Sequence, residues 1–508
     1  MSNFFKKDIG IIFILIVLFF AVLPFFYSNQ GLLLIDTGRE FYIPQQMLDR
    51  NILYKDIFNI YGALSYQINA FLYIIFGEKL NTLYNAGILN SFIIVVTIFL
   101  LSREFLSKGF SFLISTTIMF SLVFNVFLYN SNIPYAYAIS YALSSFLISV
   151  LCLIKYVKTE NNKMAYLSCL FCGVSLSNKY EFTLLPLILI YVLGFLKPIG
   201  IKNGIKALGC FFLVPIISYG SLLIQGLNIL DIKETIKLLQ NLVSAPILKI
   251  FFEKFGVFFN IDEIIKQTII NGYYAIFGFL PLICCCLFGI YIKETYQDKA
   301  TFVFLLCAIT ACAKTFFFLN INHMGAFILP VIFIATIILI NKLIKQKPII
   351  YTILCSCILL FLSNDISLLK SKNFYLFTDK GSVKTFAKDG KPIKYAINYI
   401  TSNTNKTDKI VVLPEGSIIN FITDRKGDNF YYNLSPLFYY DVFGEKRILN
   451  HFNQNPPEYF VLLPINNIEY GSEFFGKDYA QNFYEMIINN YDIVEEQFNT
   501  KIFKRKNI

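Results

Sequence analysis

Long apolar runs recur along this 508-residue chain. Runs of about 15–20 apolar residues match the length that a helix needs to cross about 30 Å of hydrocarbon. Such a series constrains the fold to helices, because each backbone polar group must be satisfied within the segment that crosses. The runs lie at 9–27, 83–101, 110–128, 135–154, 165–176, 182–196, 207–225, 273–292, 301–319, 325–340 and 349–362. The prediction is a polytopic α-helical membrane protein with about 11 transmembrane helices.

The composition supports the same class. Hydrophobic residues make up 56% of the chain and charged residues only 15%, which excludes an ordinary soluble enzyme. The formal net charge is +11, yet much of the basic charge falls in short gaps between apolar runs. There it is a topology signal and does not indicate a nucleic-acid partner.

Alternate gaps carry the lysines and arginines, and the positive-inside rule puts these gaps on the cytoplasmic side. An odd number of crossings then places the N-terminus inside and the C-terminus outside. The first run has no small-residue cleavage site after it, so we expect a retained anchor. The basic gaps are those with Lys6 and Lys7, Arg103 and Lys108, Lys155 and Lys158, Lys197 and Lys202, Lys293 and Lys299, and Lys342 and Lys345.

Three segments depart from simple crossings, and the third is the polar C-terminal part from residue 367 onward. Residues 65–76 are apolar but short and predict a re-entrant or interfacial helix. Residues 228–271 mix apolar and charged residues at helical spacing and predict helices lying flat on the membrane. We therefore divide the chain into a transmembrane domain, 1–366, with outer loops at 28–82 and 226–272, and an outer domain, 367–508.

The outer domain shows α/β alternation. KIVVLP and EYFVLLP are short apolar runs that predict buried strands, and EKRILNHF and GKDYAQNFYEMIINNY predict helices. YDIVEEQFNTKIFKRK predicts two strands around a turn at Asn499. Without a phosphate loop or a catalytic set, this domain is interpreted as a scaffold or as a lid that docks the acceptor.

All eleven cysteines lie inside apolar runs, and none accompanies a histidine or carboxylate in a metal-binding spacing. They are interpreted as packing residues, without a disulfide framework.

The sequence DTGRE crowds Asp36, Arg39 and Glu40 just after the first predicted span. Thr37 and Glu40 have the spacing of a capping box, which would start a helix along the interface and explain both residues structurally. Asp36 stays unexplained by the cap, and is held where a lipid headgroup would rest. It is the candidate general base.

Two other outer segments carry polar residues. SNKYE joins two short apolar runs, so Lys179 and Glu181 are expected below the membrane surface, where ionisable groups usually pair or serve a function. A Lys179–Glu181 pair or a snorkelling lysine is the structural alternative to phosphate binding by Lys179. His323 in NINHMG is explained equally well by capping and by catalysis.

Together these residues predict an outer cavity with one carboxylate, several cations and an apolar wall. Transfer of a sugar from a lipid phosphate needs such a site, because cations stabilise the leaving phosphate and one carboxylate can take the proton of the acceptor.

The layout resembles a family. An anchor followed by an outer Asp and Glu, LYKDIFNIYGALSYQINAFLYIIFG, LSNKYEFTLLPL, NHMGAFILPVIF and an α/β tail are similar to the bacterial GT-C superfamily of membrane glycosyltransferases, in particular its protein mannosyltransferase-like and aminoarabinose transferase-like members. This resemblance implies Asp36 as the catalytic residue and Lys179 as the match of the family's "TKG" lysine.

The sequence also departs from the family. The stretch from Tyr61 to Leu64 stands where the family has "PPL", and the lysine or histidine found before it is missing. The donor-phosphate ligands are therefore expected to be Lys179, Lys55 and Arg39, with Glu40, Tyr61, Glu181 and His323 in support. Only Asn130 or Asn132 matches a second outer aspartate, so no metal or other cofactor is expected.

The sequence thus predicts an inverting glycosyltransferase of a bacterial inner membrane that acts on the periplasmic face. Its donor would be a polyprenyl-phosphate sugar, and its acceptor a lipopolysaccharide, a cell-envelope glycan or a protein. Alternatives are a transporter or flippase, or a polymerase or ligase, of lipid-linked glycans. Transporters often carry paired internal repeats, and none is evident here.

Overall fold

The computed structural model describes residues 2–28, 31, 34, 36–126, 130–247, 280–312, 329–344 and 346–506. This part of the chain is mostly helical. Among the described residues, five helices are long and apolar enough to cross a membrane: Asp8–Phe26, Leu80–Arg103, Tyr137–Thr159, Ile201–Gln225 and Lys347–Ser371. Shorter apolar helices are Leu64–Phe76, Lys108–Val123, Leu185–Leu196, Leu280–Ile290, Lys299–Ala311 and Pro330–Leu343. A mostly helical fold with several apolar helices is confirmed, and the count of about 11 crossings stays a prediction.

The helices of the apolar part are numbered in chain order. They are α1 (Ser2–Phe26), α2 (Asp36–Leu48), α3 (Leu64–Phe76), α4 (Leu80–Arg103), α5 (Lys108–Ile118), α6 (Tyr137–Thr159), α7 (Asn162–Asn178), α8 (Leu185–Tyr191), α9 (Ile201–Gln225), α10 (Ile229–Ser244), α11 (Leu280–Ile290), α12 (Ile292–Gln297), α13 (Lys299–Ala311), α14 (Leu329–Leu343) and α15 (Lys347–Ser371). Helices α5 and α8 each continue into a π-helical turn, Met119–Val123 and Val192–Leu196.

Helix α6 lies at the centre of the apolar part. In α6, 94% of the most apolar 18-residue stretch is buried inside the protein, whereas in α9 only 17% of the corresponding stretch is buried. It packs chiefly on α7 and α4, while large apolar side chains of α9 such as Ile216 and Ile224 stay exposed. An apolar surface of this kind is expected where a helix faces lipid.

Two predicted surface segments contain helices. Helix α3 covers the predicted short segment 65–76. Helix α10 occupies the start of the segment 228–271; Asn228 and Asp231 form a capping box at its N-terminus. The part of that segment from 248 onward lies outside the described residues.

After α15 the chain has the predicted α/β character. Strand β3 (Ile410–Leu413) pairs in parallel with β4 (Tyr459–Leu462), and β6 (Thr500–Arg505) pairs antiparallel with both β4 and β5 (Tyr491–Gln497), in the order β3-β4-β6-β5. The turn between β5 and β6 lies at Phe498 and Asn499, as predicted, both with positive φ. The helices are α16 (Ala387–Asn403), α17 (Ser417–Thr423), α18 (Glu445–Gln454) and α19 (Gln481–Asn490), with a π-helical turn at Leu437–Phe443.

One hairpin of this part has no counterpart among the predicted strands. It consists of β1 (Phe374–Thr378) and β2 (Gly381–Thr385). It forms a separate two-stranded sheet outside the four-stranded one.

The C-terminal part docks directly on α2. The hydroxyl of Tyr42 accepts a hydrogen bond from the Gly427 amide at 2.8 Å and donates to Asn429 Oδ1 at 2.8 Å. The ring of Phe421 on α17 is tilted against the ring of Phe41, with centroids 5.7 Å apart, and stacks on Tyr73 of α3 at 6.0 Å. The segment that carries Asp36 is therefore held from above by the C-terminal part.

A buried lysine joins three segments beside this contact. Lys372 follows α15 directly, is fully buried, and donates to the Gly31 carbonyl at 3.1 Å and the Val126 carbonyl at 2.9 Å. Burial lowers the pKa of Lys372 to about 7. The end of the last apolar helix is thereby tied to the segment preceding Asp36.

Candidate functional site

The first turn of α2 brings Asp36 and Arg39 together. They are three residues apart and so lie on one face of the helix. Nη1 of Arg39 is 2.6 Å from Oδ1 of Asp36. The Asp36 side chain is 25% exposed and that of Arg39 only 7%, so the carboxylate reaches solvent while the guanidinium supports it from below.

Glu40 lies deeper in the same turn. Its Oε1 accepts a hydrogen bond from the Tyr66 hydroxyl at 2.6 Å, and its Oε2 accepts one from the Tyr137 amide at 2.7 Å. Burial raises the pKa of Glu40, and the charge of Arg39 and these hydrogen bonds oppose the rise. A fully buried carboxylate needs such donors. A capping box would have Glu40 bond to the amide of Thr37 at the start of α2. That prediction is wrong, because both carboxylate oxygens bond to segments far from α2 in the chain.

Lys179 directly follows α7, and its side chain lies beside the same tyrosine, Tyr61, as Arg39. Its Nζ donates to the Tyr135 hydroxyl at 3.1 Å and lies 4.8 Å from the centre of the Tyr61 ring. The guanidinium of Arg39 lies 5.3 Å from the same ring, and its Nη2 donates to the Tyr61 hydroxyl at 3.1 Å. Two cations therefore meet at one aromatic ring, an arrangement that the ring's negative face favours.

The backbone at Gly62 makes this meeting possible. Its amide donates to the Asn178 carbonyl at 2.9 Å, directly before Lys179. A Cβ at Gly62 would overlap the carbonyl oxygen of Ser177. The absent side chain thus lets the Tyr61 loop touch the end of α7.

Tyr432 of the C-terminal part completes the cluster, and the sequence analysis did not find it. It packs among the buried side chains of the apolar part, and the charges of Arg39, Glu40 and Asp36 act on its hydroxyl. Burial raises the pKa of Tyr432 to about 12. Nothing in its local pattern, three consecutive aromatic residues in a polar stretch, distinguishes it from a core residue.

The other predicted site residues lie away from this cluster or outside the residues that the structure describes. Lys55 is exposed and donates to the Gly226 carbonyl at the end of α9, at 3.3 Å. Asn130 and Asn132 bond to the backbone at Ile133 and Val123. His323 and the side chain of Glu181 lie outside the described residues.

The cluster joins one partly exposed carboxylate to two buried cations. Cations so placed can bind an oxyanion through charge-assisted hydrogen bonds, and the carboxylate can accept a proton. Within the described ranges, no three His, Cys, Asp or Glu residues group in a way that could hold a metal ion.

Known proteins resemble this chain in structure. No family model and no curated protein matches its sequence. A crystal structure of ArnT from Cupriavidus metallidurans bound to undecaprenyl phosphate has a TM-score of 0.56 and 10% identity, and the match covers 97% of this chain and 98% of that one. The apo form of ArnT has a TM-score of 0.58 and 12% identity, with 96% and 97% covered.

An archaeal oligosaccharyltransferase is also similar. AglB from Archaeoglobus fulgidus, in complex with an inhibitory peptide and a dolichol-phosphate, has a TM-score of 0.50 and 11% identity, with 91% of this chain and 70% of that chain covered. ArnT and AglB are GT-C superfamily members. At these identities the similarity establishes the fold, and the predicted GT-C resemblance is confirmed at that level.

We predict that Gly62→Ala destabilises the site. The new methyl group would push the Tyr61 loop off α7, and such overpacking typically costs about 1–3 kcal/mol. Thermal unfolding of the purified protein in detergent measures the change. Gly220→Ala in α9 is the control, because a Cβ there meets nothing within 4 Å and alanine favours the helix. Equal melting temperatures for the two variants would contradict the close approach.

Proposed function

Because the chain has the GT-C fold, we propose that it is a membrane glycosyltransferase that takes its sugar from a polyprenyl-phosphate donor. The observation that carries the proposal is the meeting of Arg39 and Lys179 at Tyr61, beside the partly exposed carboxylate of Asp36. The lipid phosphates named in the structures of ArnT and AglB support a donor of this chemical class.

In the proposed reaction a hydroxyl or amine of the acceptor attacks the anomeric carbon. The new bond forms as the bond from that carbon to the phosphate oxygen breaks, and the configuration inverts. Asp36 takes the proton of the attacking group, and the polyprenyl phosphate leaves with the electron pair. Cations close to the leaving oxygen stabilise its developing charge, so no acid is needed.

The contacts divide the roles among the basic residues. Lys179 is proposed as the principal phosphate ligand. Arg39 already bonds Asp36 and Tyr61, so it orients the base and adds positive charge. Lys55 lies against the end of α9, and the proposal gives it no phosphate contact. Glu40 and Tyr61 hold Arg39, and no metal takes part.

The acceptor is proposed to be a lipopolysaccharide, a cell-envelope glycan or a protein, and the membrane the inner membrane of a bacterium. Residues 1–366 would form the transmembrane domain and 367–508 a periplasmic domain. The N-terminus would then be cytoplasmic, in accord with the alternating basic gaps.

Asp36→Asn tests the base. The amide keeps the size of the side chain but cannot take a proton, so turnover should fall by about 10²–10⁴-fold while donor binding stays near normal. The assay follows release of free polyprenyl phosphate from defined polyprenyl-phosphate sugars in the presence of acceptor. Asp49→Asn, an exposed carboxylate just beyond the other end of α2, is the control. Parental turnover in Asp36→Asn would exclude Asp36 as the base.

Lys179→Ala tests the phosphate ligand. Loss of a charged hydrogen bond of about 1.5–3 kcal/mol should weaken donor binding by about 10- to 150-fold. Lys179→Arg should restore part of the affinity, because positive charge is what the phosphate requires. Lys163→Ala, exposed at the opposite end of α7, should bind donor like the parent. An unchanged donor Kd in Lys179→Ala would leave Lys179 a structural residue.

Cysteine labelling tests the orientation. In a cysteine-free background, Ser402→Cys on α16 should react with a membrane-impermeant maleimide in intact cells whose outer membrane has been permeabilised. Lys158→Cys should react only after lysis of the inner membrane; both side chains are exposed. Labelling of Lys158→Cys before lysis would reverse the proposed topology and remove the periplasmic site.

A further inference from the structure

A cleft on the C-terminal part is separate from the Asp36 cluster. It is a shallow depression of about 650 Å³ that is wide open to solvent. Its lining includes two aromatic rings, Tyr431 and Phe443, and one face of α18. Both rings are almost fully buried, so they are fixed in place and only a small part of each is open to the cleft.

Polar side chains of α18 form a row along this cleft. Lys446, Asn450 and Gln454 follow one another at four-residue spacing and so lie on one face of the helix. All three side chains are exposed, and none of them forms a hydrogen bond or ion pair with another described residue. The row offers an ammonium group and two amides, and an amide both donates and accepts hydrogen bonds.

The carboxylates beside the cleft are already occupied. Glu445 accepts hydrogen bonds from the Tyr439 hydroxyl at 2.9 Å and from Asn482 at 3.1 Å. Asp428 accepts one from His451 at 2.7 Å and pairs with Lys409 at 3.0 Å. Glu445 and Asp428 are therefore engaged by other described residues, and neither forms an ion pair with Lys446.

The cleft lies next to the reaction centre along the chain. Tyr431 lines it, while the next residue, Tyr432, packs into the apolar part where the charges of Asp36 and Arg39 act on it. Consecutive α-carbons are about 3.8 Å apart. Arg447 also lines the cleft; it donates to the Tyr431 hydroxyl at 2.8 Å and pairs with Glu234 of α10, so this side of the cleft is fixed to Tyr431 and to α10.

From these features we propose that the cleft binds an acidic carbohydrate, a sugar that carries a carboxylate or phosphate group. Sugar hydroxyls both donate and accept, which suits Asn450 and Gln454. The apolar face of a sugar ring suits the two aromatic rings, and Lys446 meets the anionic group. The binding of an acidic sugar does not depend on the proposed function. Only the further step, that the bound sugar is part of the acceptor, rests on it.

Saturation-transfer NMR on the detergent-purified full chain tests the binding. The probes are glucuronic acid, glucose 6-phosphate and glucose. Both acidic sugars should bind, and glucose more weakly. Lys446→Gln should reduce the signals of the acidic sugars at least threefold, and Asn450→Ala should reduce all three. Lys477→Gln, an exposed lysine elsewhere on the same part of the chain, should match the parent.

Equal signals for the parent and Lys446→Gln would overturn the inference. So would binding of glucose 6-phosphate alone with full displacement by inorganic phosphate, because that pattern describes an anion site without sugar recognition. Asp36→Asn should bind the probes like the parent. Sugar binding by a chain without transferase activity would overturn the proposed function alone, and transfer without binding in the cleft would overturn this inference alone.

Discussion

A buried guanidinium organises the outer end of this molecule. Arg39 pairs with Asp36, approaches Glu40 at 3.5 Å, and donates to the hydroxyl of Tyr61 and the carbonyl of Tyr135. A charge removed from water must be paired and hydrogen-bonded, because its desolvation is otherwise too costly. Asp36 and Glu40 belong to the same turn of α2 as Arg39, whereas Tyr61 comes from the loop before α3 and Tyr135 from the loop before α6. The bonds of one cation therefore tie three segments of the chain together.

The C-terminal part covers the cluster around Arg39 and also contributes a residue to it. It docks on α2 through Tyr42 and Phe421, and it inserts Tyr432 beside the charged cluster. Helix α2 is thus held between the apolar helices and the α/β part. In the proposed enzyme this arrangement brings an acceptor bound outside the membrane to a donor whose lipid stays inside it.

Local pattern predicted the elements of the fold well. Strands β3 and β4, the β5–β6 hairpin and helix α18 lie where alternation and helical spacing put them, because short-range periodicity reports which face is buried. The β1–β2 hairpin had no such signal, and it follows α15 after only two residues. In the site, Asp36, Arg39 and Lys179 stood out as charges beside apolar runs. Tyr135 and Tyr432 did not, because aromatic residues are common in any core.

The sequence by itself determined that the chain is a helical membrane protein with an α/β C-terminal part, since hydropathy and periodicity are properties of contiguous residues. It also put Asp36 and Lys179 at the ends of apolar segments. Only the tertiary structure decided that Arg39 and Lys179 share the Tyr61 ring, that Glu40 bonds Tyr66 and Tyr137, and that Lys55 lies apart. These outcomes depend on contacts between segments far apart in the chain, such as the approach of Gly62 to the end of α7. No local pattern encodes such an approach, because it follows from how the packed helices meet.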